Sequence, residues 1–188
     1  NSYVYEANEA NNEFKRPIVV TTTQVISSPW RTLGSSQFGS LNGLDFAPDG
    51  IRLAAAGGNT AFLWDAQSGD LRGRFTGHTG SIDTVDFSPL GDQLLTGARD
   101  GTSRLWDAAT RQQARSFAAT PGQPNPAVLS ADGTRVFAGS GLNLPRLWDA
   151  LTGVELRTFS GHTSAVYAVA LSSDGVTGLT GSDDNTAI

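Results

Sequence analysis

Leu105-Trp106-Asp107 lies near the middle of the chain, and the same tripeptide occurs at residues 63–65 and at residues 147–149. The copies are 42 residues apart in both cases. A phenylalanine follows each copy at the same period, at positions 75, 117 and 159. A period of this length indicates one supersecondary unit that is repeated along the chain.

Each repeat divides into four short β-forming segments that are separated by turn residues. In the second repeat we expect strands at residues 82–87, 93–97, 102–106 and 113–118, with Ser88-Pro89-Leu90-Gly91 as a turn between the first two. A small antiparallel sheet of four strands cannot bury both of its faces alone. Copies that stack about a shared axis cover one another, so the pattern predicts a β-propeller.

Two Gly-His pairs, Gly77-His78 and Gly161-His162, keep the same register as the Trp-Asp pairs. With these pairs, residues 30–188 resemble a series of WD40 repeats. The resemblance implies an all-β, WD40-type β-propeller, and such rings contain about seven blades. We therefore expect an incomplete propeller of about 3.5 four-stranded blades, preceded by an N-terminal arm.

The repeat register predicts two regions, an arm over residues 1–29 that docks on a partner and a partial propeller over residues 30–188. Within the arm, residues 1–12 are polar like a solvated tail, and the β-branched residues 18–26 favour a strand. Residues 30–33 are a candidate for the strand that closes a propeller ring. The predicted blades are residues 41–76, 82–118, 126–160 and an incomplete 165–188. We expect the missing blades to follow in a longer protein or to come from another chain.

Composition excludes several classes of function. The net charge of −5 argues against nonspecific binding to nucleic acid or to anionic membranes. No apolar run approaches the ~20 residues of a membrane span, and the lack of cysteine excludes disulfides and thiolate metal sites. We expect a cytoplasmic protein without cofactor or metal, although a cleaved signal peptide would leave no trace.

The resemblance also implies a role for both histidines. In WD40 repeats this histidine joins a buried relay with a Ser or Thr, an Asp in a tight turn and the Trp. The matching relay residues are His78, Thr96, Asp100 and Trp106 in the second repeat, and His162, Thr180 and Asp184 in the fourth. The alternative is acid–base catalysis by the histidines. We favour the structural role and expect no catalytic residue.

The first and third repeats depart from this pattern. Ser36-Gln37 and Ala119-Thr120 replace Gly-His, and Leu142 replaces the tight-turn Asp of the third repeat. Pro145 also enters the third strand of the third repeat, where it removes a ladder donor. We expect these two blades to depend on packing alone.

The aspartates of the Trp-Asp pairs are further candidates for metal ligands. Successive blades would spread their carboxylates around the ring, so we expect turn acceptors instead, at Asp65, Asp107 and Asp149. Residues 183–185 lack the alternating oxygens and the distal Glu of a calcium loop.

One rim of the propeller is the expected binding surface, because WD40 proteins commonly bind peptides or domains there. The candidate protein-binding residues on this rim are Arg99, Thr79, Ser81, Gln123 and Ser164. Arg99 has no predicted structural role, and arginine is favoured at interface hot spots, although it could simply be solvated. We also expect the Pro-rich loop at residues 121–126 to be exposed.

Three functions fit these observations. The first is a noncatalytic protein–protein interaction scaffold that belongs to a larger assembly. The second is a regulatory or targeting propeller of an enzyme whose catalytic domain lies outside this chain. The third is a split propeller that another chain completes. In all three the partners are other proteins, held by the rim loops and the N-terminal arm.

Overall fold

The computed structural model describes four ranges of the chain, residues 3–7, 14–19, 41–139 and 143–188. All regular elements in these ranges are β-strands, which confirms the all-β prediction. Contacts divide the chain into two compact units, Asn1–Thr32 and Leu33–Ile188.

The first unit contains one antiparallel pair, β1 (Tyr3–Ala7) and β2 (Phe14–Val19). The first of these strands lies inside the segment that the sequence presented as a solvated tail. Ile18 and Val19 end β2, whereas the rest of the strand expected at residues 18–26 lies outside the described residues. The proposed closing strand at residues 30–33 lies outside them as well.

The second unit consists of successive antiparallel sheets, which confirms the prediction of an incomplete propeller. Blade 1 contains β3 (Leu41–Phe46), β4 (Arg52–Gly57), β5 (Thr60–Asp65) and β6 (Leu71–Phe75). Blade 2 contains β7 (Ile82–Phe87), β8 (Gln93–Ala98), β9 (Thr102–Asp107) and β10 (Gln113–Ala118). In both blades each strand pairs with the next one along the chain.

The remaining two blades are smaller. Blade 3 contains β11 (Ala127–Leu129), β12 (Arg135–Ala138), β13 (Arg146–Asp149) and β14 (Glu155–Thr158). Blade 4 contains β15 (Val166–Leu171) and β16 (Gly178–Ser182), with an isolated bridge between Gly181 and Ala187. Pro145 directly precedes β13, so the third strand of blade 3 is four residues long, against six in blades 1 and 2.

The core lies between blades, because the inner strand of each blade packs on the sheet before it. Side chains from blades 1 and 2 form one buried cluster, which includes Leu63, Phe75, Ile82, Phe87 and Trp106. Side chains from blades 2 and 3 form another, which includes Leu95, Leu105, Phe117, Val136 and Trp148. Each large apolar side chain buried in this way contributes about 1.5–3 kcal/mol relative to exposure. Stacking of blades is therefore what stabilises these small sheets.

The aspartates of the Trp-Asp pairs close the turns after the third strands. Asp65 Oδ1 accepts the amide hydrogens of Gln67 and Ser68, at 2.8 Å each. Asp107 and Asp149 accept turn amides in the same way. These carboxylates are thus turn acceptors in the structure. Among the described residues no group of three or more His, Cys, Asp or Glu side chains is arranged to hold a metal ion.

Candidate functional site

The four relay residues of blade 2 form one continuous hydrogen-bonded chain. His78 Nδ1 lies 2.8 Å from Asp100 Oδ2, and His78 Nε2 lies 2.7 Å from Thr96 Oγ1. The indole nitrogen of Trp106 donates to the same Thr96 hydroxyl at 2.8 Å. The relay connects the segment before β7 to strands β8 and β9 and to the tight turn between them.

The chemistry of the groups fixes the direction of each bond. A carboxylate only accepts, so His78 Nδ1 carries the hydrogen that Asp100 receives. His78 Nε2 then accepts the hydroxyl hydrogen of Thr96, and the free lone pair of that hydroxyl accepts the indole N–H of Trp106. Every donor and acceptor in the chain is satisfied, which is what a buried polar network requires.

Burial and hydrogen bonding shift the pKa values of both ionisable groups in the relay. Burial lowers the pKa of His78 below 6.5, although the hydrogen bond and the charge of Asp100 act in the opposite direction. Burial acts to raise the pKa of Asp100, but hydrogen bonds from Thr102, His78 and the Thr79 amide outweigh it and lower that pKa. The relay is therefore a neutral imidazole beside a carboxylate at neutral pH.

The relay of blade 4 repeats the first part of this geometry. His162 Nδ1 lies 2.9 Å from Asp184 Oδ2, and His162 Nε2 lies 2.8 Å from Thr180 Oγ1. The hydroxyl of Thr186 and the other groups that hydrogen-bond to Asp184 lower the pKa of its carboxyl. In place of an indole, the main-chain oxygen of Ile188 lies 3.2 Å from Thr180 Oγ1.

Two residues that the sequence did not point to extend the relay of blade 2. The Thr102 hydroxyl donates to Asp100 Oδ1 at 2.7 Å. The Arg104 guanidinium donates from Nε to Thr102 Oγ1 at 3.1 Å and lies 3.6 Å from Asp100 Oδ2. Sequence reasoning placed Arg104 on the outer face only. Its spacing of two residues from Thr102 on one strand was the available signal, because alternate residues of a strand share a face.

The structure places the predicted rim residues in two environments. Thr79, Arg99 and Gln123 are exposed, whereas Ser81 and Ser164 are half-buried. The hydroxyl of Ser81 accepts a hydrogen bond from the Asn42 amide of blade 1 at 3.1 Å, and the Ser164 carbonyl accepts one from Ser182. The backbone of Thr79 is fixed by its amide bond to Asp100 Oδ2 at 3.0 Å.

The expectation that Arg99 has no structural role is wrong. Its Nε donates to Asp83 Oδ1 at 2.9 Å, and this hydrogen bond raises the pKa of Arg99. The other carboxylate oxygen of Asp83 accepts the Asn125 amide of blade 3. The ion pair thus joins the rim turn of blade 2 to the connection that leads into blade 3, while the Arg99 side chain stays 48% exposed.

The Pro-rich loop is exposed only in its first half. Residues 121–123 are exposed, but Pro124, Asn125 and Pro126 are buried, contrary to the expectation for the whole loop. The Asn125 side chain donates to Ser103 Oγ at 3.0 Å, which draws the loop onto strand β9. The exposed tip is held as well, because the Gly122 amide donates to the Arg99 carbonyl.

Carboxylates on the inner strands connect neighbouring blades, which the sequence reasoning missed. Asp45 Oδ2 of blade 1 accepts the Phe87 amide of blade 2 at 2.7 Å, and Asp86 Oδ2 of blade 2 accepts the Leu129 amide of blade 3 at 2.6 Å. Burial raises the pKa of Asp86 to about 6, with the nearby charge of Asp45 acting in the same direction. The signal was an Asp-Phe pair at the same place in the first two repeats.

One groove of about 340 Å³ lies between blades 2 and 3. It is lined by Leu105, Arg115, Thr134, Asp149 and Leu151, among others. Both of these ionisable groups are engaged: Arg115 donates to the Thr152 carbonyl at 3.0 Å, and Asp149 accepts the Thr152 amide at 2.7 Å. The groove thus lacks an acid–base pair of the kind that catalysis needs. Within the described ranges no helix is long and apolar enough to cross a membrane.

Comparison with known proteins agrees with this geometry. The family model described as "WD domain, G-beta repeat" matches residues 27–65, 69–107 and 153–188, which together make up more than half of the chain. The three matches leave out residues 108–152, which contain most of blade 3.

Similarity to curated proteins is confined to short segments. THO complex subunit 6 of Arabidopsis thaliana is 31% identical over 87 residues, which are 46% of this chain and 23% of that protein. Cilia- and flagella-associated protein 52 of Sus scrofa is 32% identical over 72 residues, 38% of this chain and 12% of that protein. Denticleless protein homolog of Gallus gallus is 35% identical over 82 residues, 43% of this chain and 11% of that protein. The chain thus spans less than a quarter of the length of each of these relatives.

The family match, the stacked antiparallel sheets and the two histidine relays agree with one another. Each match covers part of a blade that the structure describes, and two of the matches end at a Trp-Asp pair, at residues 65 and 107. The chain belongs to the WD40 repeat family.

Proposed function

We propose that this chain is a noncatalytic protein–protein interaction scaffold built on WD40 repeats, and that it works within a larger assembly. The observation that carries the proposal is the combination of a hydrogen-bonded frame with exposed side chains at its rim. The frame consists of the relay and of the Arg99–Asp83 pair. Because the backbone under Thr79 and Arg99 is fixed, little conformational entropy is lost when a partner contacts these side chains.

The geometry of the relay supports a noncatalytic role. Thr96, His78 and Asp100 have the order of contacts of a nucleophile, a base and an orienting acid. However, Thr96 is 0% exposed, and its hydroxyl already receives the indole N–H of Trp106. A substrate therefore has no approach to the hydroxyl. Both histidines of the chain are in such buried relays, so no imidazole remains for acid–base chemistry.

Other proteins are the proposed partners. One relative is by name a subunit of a complex, which supports membership of an assembly for this chain too. The exposed rim offers an arginine, a threonine and a glutamine on neighbouring loops, at Arg99, Thr79 and Gln123. Arginine with half of its surface free is a common anchor of protein interfaces. We place the protein in the cytoplasm, as its composition suggested.

Charge reversal at the rim tests this function. The full chain is used to capture partners by chemical crosslinking, and the affinity of the main partner is then measured. Arg99→Glu should weaken binding by about tenfold or more, as expected for an interface anchor. Arg72→Glu is a matched control, because Arg72 is also 48% exposed and also paired with an aspartate, Asp65, but lies at the start of β6. Equal loss in both variants, or loss in neither, would contradict the rim as the binding surface.

A second candidate is completion of the propeller by another blade. The observation that favours it is apolar exposure on the two outermost sheets of the second unit. Leu44 and Phe46 in blade 1, and Tyr167 and Leu179 in blade 4, are each more than half exposed. Sheet faces of this kind are normally covered by a neighbouring element. Completion and rim binding are compatible, since they use different surfaces.

A further inference from the structure

The innermost strand of blade 1 presents an apolar face that blades 2 and 3 keep covered. Val85 and Phe87 point from β7 toward blade 1 and are 7% and 6% exposed. Leu44 and Phe46 hold the same positions on β3, and they are 65% and 58% exposed. The strands share the same alternation, so the difference lies in the presence or absence of a sheet in front of them.

The covered junctions show which chemistry meets this face. At the junction of blades 1 and 2, Asp45 Oδ2 accepts the Phe87 amide at 2.7 Å, and the Arg52 guanidinium lies 5.6 Å above the Phe87 ring. At the junction of blades 2 and 3, Asp86 Oδ2 accepts the Leu129 amide at 2.6 Å. In both cases a carboxylate of the preceding blade meets the same main-chain position of the following one.

Phe46 offers the same donor and the same ring. The Ala47 amide donates to the Arg52 carbonyl, just as the Ser88 amide donates to the Gln93 carbonyl. Ladder bonds alternate along an antiparallel pair, so the Phe46 amide points away from β4, as the Phe87 amide points away from β8. An aspartate from a preceding blade would therefore find the Phe46 amide in the arrangement that Asp45 finds at Phe87.

The fourth blade of a second copy does not carry this chemistry. Ala170 stands on β15 at the position that Asp45 and Asp86 hold in blades 1 and 2. Thr177 stands at the position of Arg52. Head-to-tail pairing of two copies would thus bring neither a carboxylate to the Phe46 amide nor a guanidinium to its ring.

We propose that the open face of blade 1 is the docking surface for a WD40-type blade whose inner strand carries an aspartate at the position of Asp45, followed by an arginine at that of Arg52. The occupant continues the interface that already joins blades 1 and 2. This inference rests on the second candidate function, completion of the propeller. It adds the chemistry of the occupant and separates that occupant from a second copy of this chain.

A tandem insertion tests the proposal in the full chain. A copy of residues 41–81 is inserted directly before Leu41, so that the inserted Asp45 comes into register with Phe46. The matched control is the same insertion with Asp45→Ala in the inserted copy. Amide hydrogen exchange at Phe46 should be about tenfold or more slower with the aspartate copy than with the alanine copy, because a hydrogen bond to a charged acceptor is made only in the former.

The outcomes separate the two levels of the argument. Equal slowing by both copies supports completion of the propeller and overturns the role of the aspartate. Slowing by neither copy overturns completion itself, while the rim function is untouched. Concentration-dependent association of the chain without insertion, abolished by Phe46→Asp and also by Tyr167→Asp, would make a second copy the occupant and overturn the proposal.

The existing junction gives a second measurement that does not depend on folding of the insert. Asp45→Ala in the chain without insertion should speed exchange of the Phe87 amide by about tenfold. Asp49→Ala is the control, since Asp49 accepts only the amides and side chain of its own turn. Unchanged exchange at Phe87 would show that the carboxylate does not hold this junction, and the proposal would fall.

Discussion

Blades 2 and 3 share one topology but differ in how they are held together. Blade 2 has strands of six residues and a complete relay, whereas the strands of blade 3 have three or four residues. Even so, Trp106 and Trp148 are almost equally buried, at 2% and 3% exposure. Packing of the tryptophan against its neighbours therefore does not need the relay. The relay accompanies longer strand pairing, and the family match covers most of blade 2 but little of blade 3.

The comparison suggests a division of labour. Packing between blades, as between Phe117 and Trp148 with ring centres 5.8 Å apart, is common to both. Polar contacts in blade 2 add a second level that fixes the tight turn and the segment before the first strand. If this is correct, changes to blade packing should cost more than changes to the relay, and relay changes should matter only where a relay exists.

The largest effect is expected at the close approach of blades 2 and 3. A Cβ on Gly97 would overlap the main-chain oxygen of Asn125, and Asn125 is held by bonds to Asp83 and Ser103. Gly97→Ala should therefore reduce the free energy of unfolding by about 3 kcal/mol, the upper end of the usual cost of overpacking. Urea denaturation of the full chain measures this loss.

Gly181→Ala is the control for that substitution. Gly181 has the equivalent position in blade 4, where a Cβ would lie 3.7 Å from the Ala168 side chain, an ordinary contact distance. Its effect should stay within about 0.5 kcal/mol. Similar losses for both glycines would mean that the cost arises within a blade and not between blades.

The relay gives the next largest effect. His78→Ala leaves Asp100 and Thr96 each without a buried partner and should cost about 1–3 kcal/mol in the free energy of unfolding. Thr120→Ala is the matched change in blade 3, where Thr120 stands at the histidine position. It should cost less than about 0.5 kcal/mol. The division of labour fails if thermal and urea denaturation show the same loss for both variants.

The sequence was sufficient for contacts inside one blade and insufficient for contacts between blades. His78, Thr96, Asp100 and Trp106 keep fixed spacings within a repeat, so alignment of the repeats was enough to group them. Asp45 has its acceptor contact 42 residues away, in another sheet. Such a contact depends on the angle and distance at which two sheets stack, which a repeat period does not contain.

Arg99 and the Pro-rich loop illustrate the same limit. Their exposure was inferred from residue type, but Arg99 is paired with Asp83, and the second half of the loop lies on strand β9. Composition predicts average solvation and not the partner that a neighbouring blade supplies. The positions that distinguish the relay of blade 3, residue 142 above all, lie outside the described residues.

The junction of blades 2 and 3 should also respond to pH. The pKa of Asp86 is raised to about 6 in the folded chain, from 3.8. The folded state thus binds the proton more tightly, and the stability that Asp86 contributes is complete below pH 3.8 and lost as the pH rises through about 6. Relative to Asp86→Asn, the wild-type chain should lose about 1–2 kcal/mol between pH 5 and pH 7.5.

Difference curves isolate this titration. His78 has a lowered pKa and acts in the opposite sense as the pH falls, but its contribution cancels between wild type and Asp86→Asn. Asp132→Asn in blade 3 is the control, because the Ser130 hydroxyl and the Thr134 contacts lower the pKa of Asp132 to about 2. Its contribution is lost only as the pH falls below 3.8, so its difference curve should be flat in this range. A flat curve for Asp86 as well would contradict the raised pKa.

The smallest effect should have opposite signs in the two blades. Arg104 and Arg146 hold equivalent positions, but Leu144 replaces the threonine that accepts from Nε in blade 2. Among the described residues, Arg146 Nε is a buried side-chain nitrogen without a hydrogen-bond partner. Its ion pair with Glu155, at 3.4 Å, is partly exposed on both sides and contributes little.

Arg146→Met should therefore be neutral or raise the free energy of unfolding by up to about 0.5 kcal/mol, because it removes a desolvated donor that has no acceptor. Arg104→Met removes bonds to Thr102 and Gln113 and should lower it by about 1 kcal/mol. Thermal denaturation of the two variants side by side measures both signs. Destabilisation of equal size would show that the arginine stem stabilises each blade by packing alone, and that the relay of blade 2 gives its arginine no additional role.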